Sequence, residues 1–439
     1  MILPLLFGLA TSLAAPAEDA GAPDEETVVS EPIAGSPREV TVVPEPPAPA
    51  DGDTFPGRFD GGPVPHWSRD LPGERVNAPS HAERARPVLS GTRIYVGAAG
   101  GEALYALSRE SGSLEQTYEA DGPVNAEPLV LRDRLFFTDT AGTTWAYAID
   151  GELLWRRTGS APQPTRPTLS GDLLFVRDVN DLLVALDAST GEQQWQYRRK
   201  PDPSRLSELT LYAAPPAHVA GSMVLVGFSD GALVALDRSS GDPFWDLSVG
   251  EGRYPDLVAP AATSGMTAFA SGYLAPLVAL DLKSSTVRWR VDVGASAGVT
   301  VVDVPGGQLI LHPGIDGVLR AIDPVAGDER WSYDSGLGAS LTQPILTEAG
   351  ALIGGSGGQL AIVDVQTGEL VWRWHEDFYL EGLSSAPYVD GRQMVFTTNA
   401  GRLYSMLVPQ ESPPSPAAKR DTGKFRLAYP DERSYGRDR

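Results

Sequence analysis

The sequence predicts an all-β protein: an eight-bladed β-propeller of four-stranded antiparallel blades, closed by a strand from the N-terminal side. Three observations carry that expectation. An aliphatic-x-Ala-aliphatic-Asp run, followed eight residues later by Trp, recurs along the middle of the chain. The copies lie one blade length apart. No stretch sustains the 3.6-residue apolar period of a helix.

The copies read directly from the chain. Leu183-Val184-Ala185-Leu186-Asp187 leads to Trp195, and Leu233-Val234-Ala235-Leu236-Asp237 leads to Trp245. Asp281 with Trp289, Asp323 with Trp331 and Asp364 with Trp372 repeat the pattern. Ala146 to Asp150 with Trp155 has a shorter turn; Leu104 to Ser108 carries Gln116 where Trp is expected; Leu403 to Leu407 is the last copy. From the Asp-equivalent positions the spacings are 42, 37, 50, 44, 42, 41 and 43 residues. Those are blade spacings.

Each unit opens on a proline (Pro87, Pro128, Pro167, Pro216, Pro260, Pro344, Pro387), with Val302 in that place in the sixth. An apolar strand such as Met223 to Val226 follows, then a tight turn such as Asp230-Gly231 or Asp316-Gly317. Glycine there accepts the positive φ of a two-residue hairpin. The Asp that ends the next strand is placed to accept amide hydrogens in the turn after it. The eighth unit stops near Gln410 without its Trp strand, and Pro65-His66-Trp67 lies upstream of the first unit. Trp67 is therefore expected on the fourth strand of the last blade, because an open ring would leave an unpaired edge.

Composition divides the chain. Residues 1–15 read as a secretory signal, with an apolar run from Ile2 to Ala10 and the small residues Ser12 and Ala14 two apart. Residues 16–60 form an acidic, Pro-rich segment of net charge −9, too poor in apolar groups to recover its ordering entropy. The propeller is expected over 61–410, and 411–439 as a disordered tail. The whole chain carries −22, of which the middle holds −15. An acidic surface repels phosphate backbones, which argues against nucleic acid as a partner. There are no cysteines, so thiolate metal sites, disulfides and lipid attachment at a signal-peptide cysteine are not expected. The chain is expected to be exported to the periplasm, peripheral at the outer membrane if partners hold it there, and monomeric.

Catalytic and metal-binding readings find little support. Six of the nine tryptophans share one repeat register, which signals packing between blades. Trp145 and Trp374 stand outside that register and are also read as strand packing. His66, His81, His218, His312 and His375 show no metal-ligand spacing. Asp202 with Glu208, and Glu376 with Asp377, are read as solvated loop charge. Gly97, Gly100 and Gly101 precede strand-like sequence, whereas a phosphate cradle opens a helix. No catalytic residue, cofactor or metal is expected.

The Ala-aliphatic-Asp-x-x-Thr-Gly-x-x-x-Trp repeat resembles that of the quinoprotein-type propellers. That superfamily contains pyrroloquinoline-quinone dehydrogenases and the BamB family of outer-membrane assembly factors. The likeness implies the propeller fold; length and a single ring look more like the BamB family. At the longest insertion, Leu209-Thr210-Leu211-Tyr212 resembles that family's Leu-x-Leu-Arg segment, which docks onto a periplasmic domain of the barrel-inserting protein; Tyr212 stands where the family has arginine. Arg253-Tyr254-Pro255-Asp256-Leu257-Val258 resembles its Arg-Leu-Ser-Asp-Val-Asp segment, keeping Arg253 and Asp256, with Val258 in place of the second aspartate. The resemblance thus implies a protein-binding scaffold that assists assembly of outer-membrane β-barrels, with Leu209, Leu211, Tyr212, Arg253 and Asp256 at the partner surface. From the residues alone, Leu209 and Leu211 also fit an ordinary core-facing strand. Two alternatives remain: an exported scaffold on the same repeat with an unrelated partner, or a quinone- and Ca²⁺-dependent dehydrogenase, which would need several converging oxygen ligands.

Overall fold

Alternating apolar strands and glycine turns leave the chain little choice but a series of small meanders. In the computed structural model, which describes residues 62–71, 85–200, 214–250, 255–338, 340–375 and 382–407, there are 32 strands and no helix among the described residues. They form eight four-stranded antiparallel sheets. Blades 1 to 7 occupy residues 88–119, 129–158, 168–198, 218–248, 262–291, 300–334 and 345–375. Blade 8 combines 388–407 with the strand Val64–Asp70. The proposed signal, acidic segment and tail lie outside the described residues.

Ring closure follows the sequence expectation. Val64–Asp70 pairs antiparallel with Arg402–Leu407, setting Trp67 opposite Ser405 and Asp70 opposite Arg402. First strands of adjacent blades touch, as Ala262–Ser264 does Thr300–Val304, so they lie innermost and the Trp-bearing fourth strands outermost. The buried apolar residues fall into eight clusters, each shared by two consecutive blades. Every blade therefore depends on both neighbours, as in other repeat architectures.

The recurring positions of the repeat together make one clasp, found at successive junctions of the ring. Asp237 Oδ1 accepts the amides of Ser239 and Ser240 at 2.8 and 3.0 Å and shapes the turn that ends at Gly241. Gly241 has φ +77°, and a Cβ there would lie 2.5 Å from the Trp195 ring of the preceding blade. The Trp195 indole N–H donates to Arg238 O at 3.0 Å in that turn. Trp155, Trp245, Trp289 and Trp331 donate in the same way to Ala188, Leu282, Pro324 and Val365. Trp67 reaches Arg109 O at 3.3 Å, so the closing strand uses the same device. Gln116, where Trp is missing, donates to Asp150 O at 3.1 Å. A bulge beside each of these outer residues, such as that between Ala185 and Leu186, re-aims the side chain toward the next blade. Trp145 and Trp374 pack against aromatics instead: Phe137 and Tyr147 for the first, Phe396 and Tyr404 for the second.

Deleting residues 62–70 removes both the ladder of blade 8 and the Trp67 clasp, and Trp67→Ala removes the clasp alone. The deletion is expected to lower the urea midpoint steeply, and Trp67→Ala to cost about 3 kcal/mol. A midpoint unchanged by the deletion would refute closure through this strand.

Candidate functional site

Two kinds of connection share one face of the ring. The turn between second and third strands packs on the link from the fourth strand to the next blade: Val249 and Gly250 donate to Gly231 O at 2.9 and 2.8 Å, and Gly159 donates to Gly142 O at 2.8 Å. The Asp-Gly turns of the clasps lie on the opposite face with the first hairpin turns, as Ala188 N to Asp172 O at 2.8 Å shows. On the first face the chain leaves the described residues after Lys200 and returns at Ala214, between blades 3 and 4. It leaves again after Gly250 and returns at Pro255, between blades 4 and 5. The 50-residue spacing from Asp187 to Asp237 thus belongs to this face.

Beneath these two departures lies a buried network of arginines and aspartates. Arg199, which leads into the insertion, donates through Nε to both carboxylate oxygens of Asp230 at 2.9 Å and also binds Asp246. Asp230 is fully buried at the tip of the blade 4 turn. Arg177 is 1% exposed; it donates to Asp181 Oδ1 at 2.6 Å and to Gly227 O. Its guanidinium carbon lies 4.6 Å from the centre of the Phe228 ring, and that of Arg199 lies 5.6 Å from the same ring. Asp181, held at φ +58°, also accepts from the Ser229 hydroxyl. Blade 3 and blade 4 are locked here by charge as well as by apolar packing.

The protonation balance reflects that locking. Burial pulls the Arg177 guanidinium below its ordinary value, against the opposing pull of Asp181. Burial also acts against Arg199, but the hydrogen bonds to Asp230 and Asp246 outweigh it and hold Arg199 above the ordinary arginine value. Removing one partner of such a pair leaves the other charge buried and uncompensated.

Of the residues expected at a partner surface, Leu209, Leu211, Tyr212 and Arg253 lie outside the described residues. Asp256 is described, and it is 2% exposed. Its backbone carbonyl lies 2.1 Å from where a Gly272 Cβ would be, so the segment is pressed onto blade 5. Asp256 sits inside the rim, not on it. Sequence reasoning did not find the Arg177–Arg199 network. A signal existed: Arg177 stands at the register held by Gly97, Thr138, Gly227 and Gly354 in other blades, none of them charged.

Other polar groups are committed to structure. Arg86 donates to Ala386 O and Pro387 O, both at 2.9 Å, and pairs with Glu127, which also holds Arg166. Burial pushes His312 down to about 4, and its Nε2 lies 3.1 Å from Val293 O. Burial likewise lowers His218, which meets Thr263 Oγ1 at 2.9 Å. Among the described residues no three His, Asp or Glu side chains converge as a metal-holding group.

Comparison with known proteins adds a family. The family model described as "Outer membrane protein assembly factor BamB" matches residues 65–165, 146–273 and 255–413. The BamB of Burkholderia pseudomallei is 26% identical over 271 residues, 60% of this chain and 68% of that protein. That of Yersinia pestis is 26% identical over 59% of this chain and 65% of its own length. The chain therefore spans about two thirds of the length of these relatives. Among solved structures, BamB from Moraxella catarrhalis superposes with a TM-score of 0.65 at 16% identity, covering 79% of this chain and all of that one. Quinohemoprotein alcohol dehydrogenase from Comamonas testosteroni gives 0.60 at 15% identity, covering 83% and 78%. At such identities these superpositions speak for the fold alone.

The network makes a quantitative prediction. Arg199→Ala strands the Asp230 carboxylate in the interior and is expected to cost about 3–5 kcal/mol in urea unfolding, and adding Asp230→Ala is expected to restore a large part of that loss. Equal, additive losses in the single and double variants would show that the two side chains do not act as a buried pair.

Proposed function

The chain belongs to the BamB family of outer membrane protein assembly factors, and on that premise we propose that it is a periplasmic scaffold that binds proteins and assists assembly of outer-membrane β-barrels. Its partner is the barrel-assembly machinery, met through the face that carries the blade 3–4 insertion and the blade 4–5 link. The observation that supports this reading is where the chain departs: it leaves the described residues after Lys200, next to Arg199 of the buried Arg177–Arg199 network. Rigid scaffolds commonly present binding loops in this way.

Within that reading, Leu209, Leu211 and Tyr212 supply apolar contact area and Arg253 supplies a polar contact. Asp256 acts from within, keeping the blade 4–5 link in place. We assign no catalytic role: His312 is buried and His218 half-buried, both are hydrogen-bonded, and Arg86, Glu127 and Arg166 are held in ion pairs.

The test is capture of the purified periplasmic domains of the barrel-inserting protein, measured together with thermal unfolding. Tyr212→Ala and Leu211→Ala are expected to weaken capture by about 1–2 kcal/mol each with little change in melting temperature. Asp256→Arg should instead lower the melting temperature, because it forces a larger side chain of opposite charge into a buried position. Intact capture by both loop variants would place the docking surface elsewhere.

A further inference from the structure

The junction between blades 2 and 3 departs from the rule kept by most of the ring. Two residues beyond the clasp position, six outer strands send an apolar side chain into the core shared with the next blade: Tyr118, Tyr197, Leu247, Val291, Tyr333 and Trp374. Blade 8 carries Arg69 there, which donates to Ser111 O, and blade 2 carries Arg157. Its guanidinium turns away to donate to Gln193 Oε1 at 2.7 Å, and the space an aromatic ring fills elsewhere is a groove of about 420 Å³.

The groove is chemically furnished. Arg157 and Arg198 line it, and among the described residues neither has a carboxylate within ion-pairing distance. Their sequence neighbours Arg156 and Arg199 are paired, with Asp121 and with Asp230 and Asp246. Val176 and Val184 give it an apolar wall, Gln196 offers an amide that both donates and accepts, and Gln163, whose Oε1 accepts from the Thr144 hydroxyl at 2.7 Å, adds its amide N–H groups. Asp178 also lines it and is 3% exposed. Its Oδ1 accepts the amides of Asn180 and Leu182 at 2.9 and 3.0 Å, while Oδ2 has no hydrogen-bond partner among the described residues. A buried carboxylate oxygen left without a donor is costly unless something supplies one.

We infer that this groove is a binding site for a small zwitterion of the amino-acid or dipeptide class, with its ammonium group at Asp178 and its carboxylate at Arg157 and Arg198. Two arginines that, among the described residues, have only the neutral acceptors Gln193 Oε1 and Asn180 O, in a chain of net charge −22, single out a carboxylate, since a phosphate-sized multiple charge would meet the surrounding negative field. The buried Oδ2 singles out a strong donor at the other end. A volume near the lower limit of small-molecule pockets suits one or two residues and no more. The site is independent of the docking reading, because it involves neither the blade 3–4 insertion nor a protein partner.

Calorimetry on the full chain tests it, with alanyl-alanine as probe and its N-acetylated and C-amidated forms as controls. The free dipeptide is expected to bind with a Kd of about 1 mM or tighter, and each blocked form at least about tenfold more weakly. Arg157→Gln combined with Arg198→Gln should cost at least about tenfold with an unchanged melting temperature, since both side chains reach the surface. Asp178→Asn keeps the Oδ1 acceptor and should weaken the free dipeptide but not the acetylated form; if that variant unfolds, the arginine pair carries the test. Absence of binding at about 10 mM, or equal affinity for free and blocked dipeptides or for wild type and the double arginine variant, overturns the assignment.

Discussion

A tryptophan indole resting on the glycine of the next blade's turn is the contact on which the rest of this molecule depends. The ring needs a flat neighbour, which is why Gly241 has no Cβ to offer, and the indole N–H needs an acceptor, which Arg238 O provides. Asp237 holds that turn in the shape that presents both. None of the three residues works alone. Their joint recurrence sets successive blades against one another through the same indole–carbonyl contact. Where the pattern is broken, the contact is rebuilt with other atoms: Gln116 keeps the hydrogen bond without the indole, and Ser285 takes the glycine place at φ +53°.

A ring closed in this way supplies something a single sheet cannot, namely a fixed frame for irregular loops. The Arg177–Arg199 network uses that frame. Burying two guanidiniums is unfavourable in isolation, and it is tolerated because Asp181, Asp230 and Asp246 are delivered to them by two different blades. Charge burial yields conformational specificity in return, since only the correct approach of blade 3 to blade 4 satisfies every partner.

Sequence made the periodic part of this design legible and left the aperiodic part dark. Trp67 could be assigned to the last blade before any coordinates because an unpaired edge and a missing Trp strand pointed to each other. The clasp could be read because Asp, Gly and Trp recur in register. Arg177, by contrast, is one charged residue in an apolar strand; its acceptor Gly227 lies 50 residues away in the next repeat, as does Ser229, which donates to the Asp181 that pairs with Arg177. Nothing local announces such a network; only aligning the blades shows an arginine where glycine or threonine usually stands. Asp256 was read from a motif likeness as a surface residue, and its burial follows from tertiary packing against Gly272 that a linear motif does not encode. Arg157 was likewise visible only as an exception to a register that the structure defines.

The claim that the clasps and the shared apolar cores join the eight blades into one cooperative unit is most directly tested by native-state hydrogen exchange in low denaturant. The account predicts that amides of Val64–Asp70 and Arg402–Leu407, at the closure, open with the same free energy as those of Ala232–Asp237 in the middle of the ring. Earlier opening of blade 8, by a local unfolding that leaves blade 4 protected, would contradict it.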